Sequence, residues 1–174
     1  RWYVPYAATS SLNLYYGGNT SLDMTNFVAS TQSVAGAGSV NQEVASAIDS
    51  NNRVIIATKN SSGNLSVYRI DSSFALVDNV SNVFNFTGSE EIEGISVSSG
   101  GADDDVYIAC KNINAATGFI SLSAAVLDGN GITSYGSTTT FNSTNYLAQP
   151  GIDEVKIIGH PTSDGQAIIA VTTN

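Results

Sequence analysis

An all-β chain built from repeated antiparallel units of four strands is what this sequence predicts, and three observations carry the prediction. One short pattern recurs: Arg53-Val54-Ile55-Ile56-Ala57-Thr58-Lys59-Asn60 returns as Val106-Tyr107-Ile108-Ala109-Cys110-Lys111-Asn112 and again as Gln166-Ala167-Ile168-Ile169-Ala170-Val171. A fainter copy, Val4 to Ser11, opens the chain. Aligned on Ala8, Ala57, Ala109 and Ala170, the steps are 49, 52 and 61 residues, the size of a repeated supersecondary unit. No stretch carries an apolar stripe of helical period; even Val40 to Ile48 alternates with period two.

Taken in order, Trp2 to Thr9 reads as a second strand of its unit, Leu12 to Tyr16 as a third and Leu22 to Ala29 as a fourth. The glycine-rich Ser33 to Ser39 is a connector. The next unit has all four strands: Glu43 to Asp49, Arg53 to Lys59, Leu65 to Asp71 and Phe74 to Phe84. Its central turn, Asn60-Ser61-Ser62-Gly63-Asn64, is built from residues that tolerate positive φ. The third unit repeats this with Glu93 to Ser99, Asp105 to Lys111, Phe119 to Leu127 and Ile132 to Phe141. The last supplies Glu154 to His160 and Gln166 to Val171. The expectation is a single all-β repeat domain over 1–174, with units near 1–39, 40–88, 89–150 and 151–174.

Four short strands per unit resembles β-propeller proteins in general, over nearly the whole chain. The marks of a named subfamily are missing: there is no Trp-Asp blade ending, no Asp-box, and only isolated Gly17-Gly18 and Gly100-Gly101 in place of a kelch pattern. The resemblance therefore implies a fold and transfers no activity. Counted this way the chain holds roughly three blades, fewer than the four or more that close a ring. Three resolutions follow: a fragment of a longer propeller, a propeller completed by assembly with another copy, or a β-sandwich.

Composition narrows the partners. Six Lys and Arg stand against fifteen Asp and Glu, for a net charge of -9, which leaves no cationic footprint for nucleic acid. No run of about 20 apolar residues is present to insert a membrane helix. Few residues are charged, so the surface is largely Ser, Thr, Asn and Gly, as in many secreted and cell-surface β proteins. The chain starts at Arg1 with no charged-then-apolar leader; the expectation is a removed signal peptide or a piece of something longer. Cys110, the single cysteine, falls in an alternating strand and is expected to be a small buried hydrophobe.

Each candidate site has a plain structural reading beside it. Glu43, Glu93 and Glu154 each precede or open the first strand of a unit; in a propeller they would ring one rim of the channel, where a ligand or cation sits, whereas polar strand ends also simply keep a rim soluble. Asp103-Asp104-Asp105 is either a calcium-binding turn or a solvated loop tip. His160, the one histidine, stands before a turn and has no Gly-x-Ser-x-Gly elbow to serve. Six Asn-x-Ser/Thr sequons are close to the chance number for this composition; Asn60 and Asn64, in a turn, are the glycosylation candidates. Trp2, Tyr3, Tyr6, Tyr15 and Tyr16 form a local aromatic cluster suited to an interface, to sugar stacking or to an ordinary core.

The functional expectation is a non-catalytic extracellular structural or binding module, part of a cell-surface protein, adhesin or filament that assembles by strand addition. Its partners would be other copies of itself, the remainder of a longer chain, or glycans, and calcium is the one cofactor suggested. The alternatives are a carbohydrate-active propeller enzyme using the three glutamates and a sugar-binding lectin.

Overall fold

The computed structural model describes residues 2–8, 11–17, 30–33, 40–60, 62–84, 90–118, 120–132, 135–142 and 152–173. All regular structure among them is β, and every pairing is antiparallel. The first sheet joins β1 (Trp2–Ala8), β2 (Ser11–Gly17) and β3 (Ser30–Ser33). The second runs in chain order through β4 (Val40–Ile48), β5 (Val54–Asn60), β6 (Leu65–Ile70) and β7 (Leu76–Ser81). The third does the same with β8 (Glu90–Gly100), β9 (Asp105–Asn114), β10 (Ile120–Leu127) and β11 (Tyr135–Asn142). The fourth is the pair β12 (Ile152–Gly159) and β13 (Ala167–Thr173). Each sheet is an open meander and none closes on itself.

The two four-stranded units and the final pair follow the sequence pattern within a few residues. The first unit differs: the expected strand at Leu22 to Ala29 lies outside the described residues, and β3, which pairs with β2, starts at Ser30. Phe74, expected to open a strand, instead occupies the turn before β7 with φ of 68°. The side chain of Asp71 organises that turn by accepting from the N–H groups of Ser73 and Ala75.

The sheets stack face to face in chain order. β8 lies against β4 and β5, β12 lies against β8 and β9, and β4 lies against β1. β5 and β9 lie second in their sheets and are apolar at successive positions, so each feeds two cores. Ile55 and Ala57 meet Val106, Ile108 and Cys110 between the second and third sheets. Val54 and Ile56 point the other way, joining Leu12 of the first sheet. Tyr107 and Ala109 turn towards Ile152, Val155 and Ile157 of the fourth. A strand buried on both faces reads as a continuous apolar run, which is why the repeat was visible at all. Cys110 is fully buried, and burial pushes its thiol far above the ordinary range.

Gly159 permits the closest approach. A Cβ there would fall 2.4 Å from the Tyr107 ring, so glycine lets the end of β12 lie flat on β9.

Ile108 should therefore be an expensive residue and Ile168, on the exposed side of β13, a cheap one. Ile108→Ala is expected to cost about 2–5 kcal/mol and Ile168→Ala within about 0.5 kcal/mol, read from urea midpoints of the two variants; similar costs would contradict the stacking order.

Candidate functional site

The most elaborated region lies where the turns between first and second strands gather at one end of the stack. Aligned on the repeat alanine, Asn52, Asp104 and Gly165 occupy one position, and all three have positive φ, at 60°, 62° and 68°. Asn, Asp and Gly are the residues that enter this left-handed region most readily. The chain thus turns the same way into β5, β9 and β13, using three different residues.

Carboxylates stitch these turns together. Asp104 accepts hydrogen bonds from the Ser50 N–H at 2.9 Å, the Ser50 hydroxyl at 2.7 Å and the Asn51 amide at 2.8 Å, tying the third sheet to the second. Arg53 stands 3.8 Å away and also pairs with the buried Asp49. Burial pushes the Asp104 carboxyl up, but the Ser50 donors, the Arg53 guanidinium and the Asn51 amide outweigh it and hold the group below its ordinary value. Asp164 makes the equivalent link between the fourth sheet and the third, accepting from the Ala102 N–H at 2.6 Å. Beside it the Gly101 N–H donates to the His160 carbonyl at 2.6 Å. Asp105 accepts from the Gly129 N–H and the Gly165 N–H, both at 3.1 Å.

Gly129 is held from both ends. Its carbonyl accepts from the Arg69 guanidinium at 2.7 Å, and Arg69, 1% exposed, also grips Asp78 with two of its nitrogens. A Cβ on Gly129 would fall 1.9 Å from the Asp103 carbonyl oxygen. Asp103 itself is exposed. Ser50, Asn51, Arg53, Asp103, Asp104 and Asn130 line a polar depression of about 290 Å³ between these turns. The three adjacent aspartates therefore diverge: one to solvent, one to the second sheet, one to the turns around Gly129 and Gly165. Among the described residues no three His, Cys, Asp or Glu side chains converge to hold a metal ion.

The three glutamates sit at a different place, on bulges. The register of β8 shifts between Ile92 and Gly94, with Glu93 the extra residue. That of β12 shifts between Ile152 and Glu154, with Asp153 extra, and that of β4 shifts between Val40 and Val44, a stretch that includes Glu43. Bulged first strands at matching places are a repeated feature that increases local twist. Threonine hydroxyls satisfy the displaced backbone: Thr58 donates to the Glu43 carbonyl at 2.8 Å, and the Glu154 N–H donates to Thr172 at 3.1 Å. Glu93 pairs with Lys111 at 3.2 Å and Glu154 with Lys156 at 2.9 Å. By register the counterpart of Glu154 is Gly94, not Glu93, so the three carboxylates do not share one position of the repeat.

Asn60 ends β5 with its side chain engaged: Oδ1 accepts from the Ser62 and Asn64 N–H groups, and Nδ2 donates to Ser66. Asn64 has a buried Oδ1. His160 is exposed, its Nδ1 accepting from the Ser163 N–H at 3.0 Å. Trp2, Tyr3, Tyr6, Tyr15 and Tyr16 lie on β1 and β2, with Tyr3 opposite Tyr16 in register; their side chains lie outside the described residues. The buried Arg69 was not anticipated from sequence, although a lone arginine inside the run Leu65 to Ile70, with Asp78 on the next strand, was its available signal.

No protein-family model, curated protein or solved structure matches the chain.

Two outcomes follow for the stitched turns. Gly129→Ala should lower stability by about 1–3 kcal/mol, because the atoms it meets are backbone and cannot swing aside. Asp104→Asn keeps a residue suited to positive φ but removes the charge, at a cost of about 1–3 kcal/mol at pH 7. Since the folded carboxyl titrates below its ordinary value of 3.8, its stabilisation is present above that pH and fades as pH falls through the folded value. Urea titrations at pH 7 and near pH 2.5 should show the gap between wild type and Asp104→Asn closing in acid; a constant gap would exclude the linkage.

Proposed function

We propose that the chain is a non-catalytic structural or binding module of a cell surface or extracellular assembly, its sheets arranged as the blades of a partial propeller that assembly completes. What supports the blade reading is the repeated overlap of β8 on β4 and of β12 on β8, the innermost strands of such a ring. What carries the assembly reading is β13. Its counterparts β5 and β9 are paired on both sides, whereas β13 pairs with β12 alone among the described residues. Ala167–Thr173 contains no charge and no proline, the devices that normally protect an open edge. Strand addition would satisfy that edge with the backbone of a partner, another copy or the remainder of a longer chain. Calcium at Asp103, the one exposed member of its triplet, and glycans along the Ser, Thr and Asn surface remain secondary ligands of this reading.

A carbohydrate-active enzyme is the competing class. Incubation with a panel of polysaccharides and a reducing-end assay should give no turnover. Release of sugar that is abolished in Glu93→Gln or Glu154→Gln would install the enzyme in its place.

A further inference from the structure

His160 does for the turn of the fourth sheet what a carboxylate does for the matching turn of the second. Register pairs Ile48 with Val54, Ser99 with Val106 and Gly159 with Ala167, so the residues one step on, Asp49, Gly100 and His160, share a place in the repeat. The backbone agrees. The Asp49 N–H donates to the Arg53 carbonyl at 3.1 Å and the His160 N–H to the Gln166 carbonyl at 2.8 Å. Both side chains then gather the N–H groups of their own turn. Asp49 Oδ1 accepts from Asn51 and Arg53 at 3.0 and 2.8 Å. His160 Nδ1 accepts from Thr162 and Ser163 at 3.3 and 3.0 Å.

The two acceptors differ in one respect. A carboxylate accepts throughout the neutral range, whereas an imidazole has a single acceptor nitrogen and loses it on protonation. Histidine is also the side chain whose charge ordinarily changes between about pH 5 and 8. Several links between the third and fourth sheets run through this turn. The His160 carbonyl accepts from the Gly101 N–H at 2.6 Å and the Ser163 carbonyl from the Tyr107 hydroxyl at 3.4 Å. Asp164 accepts from the Ala102 N–H at 2.6 Å, and the Gly165 N–H donates to Asp105 at 3.1 Å. Farther along β12 the Ile157 and Gly159 N–H groups donate to Ser96 and Ser98, and Ile152, Val155 and Ile157 are buried with Tyr107 and Ala109. Those contacts do not depend on the imidazole.

We infer that residues 160–165 form an acid-released latch: neutral His160 holds the turn closed on the third sheet, and protonation of its Nδ1 opens it. The proton and the two backbone donors compete for one lone pair, so the open turn binds the proton more readily and acid favours it. The other ionisable groups here are Asp164 within the turn and Asp103, Asp104, Asp105 and Tyr107 on the turn and strand it packs against. Arg53, beyond them, pairs with Asp49 and Asp104, and β13 carries no charge. Carboxylates and phenols ordinarily titrate outside the histidine interval. The negative charges favour an imidazolium in either state; only the closed turn, with two N–H groups aimed at Nδ1, opposes it.

The test is NMR on the folded chain between about pH 8 and pH 5. Imidazole nitrogen shifts read the tautomer, and solvent exchange of the Thr162, Ser163 and Ala102 amides, corrected for the intrinsic pH dependence of exchange, reads the latch. At the alkaline end the imidazole should carry its proton on Nε2. As it titrates, protection of the three amides should fall about tenfold, while the Ile157 amide keeps its own. His160→Asn retains a side-chain acceptor, suits a turn before proline and does not titrate, so its three amides should stay protected throughout. His160→Asp replaces it if circular dichroism shows that the Asn variant is unfolded. A proton on Nδ1 at the alkaline end overturns the latch without any variant. So does a wild type whose three amides keep their protection through the titration, or an acceptor variant that loses it over the same interval. Loss of Ile157 protection together with the rest shows the whole sheet letting go, and also overturns a latch confined to the turn.

Discussion

Everything in this fold depends on the second strand of each unit being apolar at consecutive positions. A strand with one apolar face can lie on a single core and show the other side to water. Val54-Ile55-Ile56-Ala57 and Val106-Tyr107-Ile108-Ala109 have no side to show. Each must be covered twice, so one sheet cannot satisfy another without leaving its own second face bare. The stack of sheets is the consequence, and the overlap of β4, β8 and β12 is how the chain keeps covering the face it has just exposed. At about 1.5–3 kcal/mol for each large side chain fully buried, this term far exceeds any surface ion pair in the molecule.

Polar groups then decide how tightly successive sheets register. Apolar faces alone would slide, since hydrophobic burial has no direction. The turns at one end remove that freedom. Asp104 and Asp164 reach back to N–H groups of the preceding sheet, and Arg69 crosses from the second sheet to the Gly129 carbonyl of the third. Gly129, Gly100 and Gly159 sit where backbone meets backbone or ring too closely for a Cβ. The polar depression between the turns is in this light a by-product of the stitching, because the Asp104 carboxylate that lines it is already occupied by backbone, hydroxyl and amide donors.

Much of this was legible in the sequence because the signal was local. The recurring octapeptide with its alanine revealed β5, β9 and β13, and alternation revealed their partners. Cys110 read correctly as core from its place in that pattern. Two things were hidden. The divergence of Asp103, Asp104 and Asp105 depends on a left-handed residue in the middle of the triplet, and like charges in a row give no hint of three separate destinations. The placement of Glu43, Glu93 and Glu154 depends on bulges, and a bulge shifts register by a residue without any fixed composition. Counting residues before a strand therefore equated Glu93 with Glu154, although by register Asp153 is its counterpart. Arg69 was hidden for a different reason: its carbonyl partner lies 60 residues away.

The edges of the sheets show where the chain has been protected and where it has not. On β8 and β12, each at the end of its sheet, the strand is broken by a bulge and carries an ion pair, Glu93 with Lys111 and Glu154 with Lys156. A bulge misaligns the ladder that an incoming strand would need, and charge makes its burial costly. The same devices could have been placed on β13 at little cost, since its outward positions pack against nothing described. Instead it is Ala-Ile-Ile-Ala-Val-Thr-Thr, as apolar as the doubly covered β5. A net charge of -9 opposes indiscriminate aggregation of such an edge, so the apolar surface can persist without collapsing on itself. The bulges and ion pairs of β8 and β12, set against a β13 that carries no charge, are the asymmetry on which the assembly proposal rests.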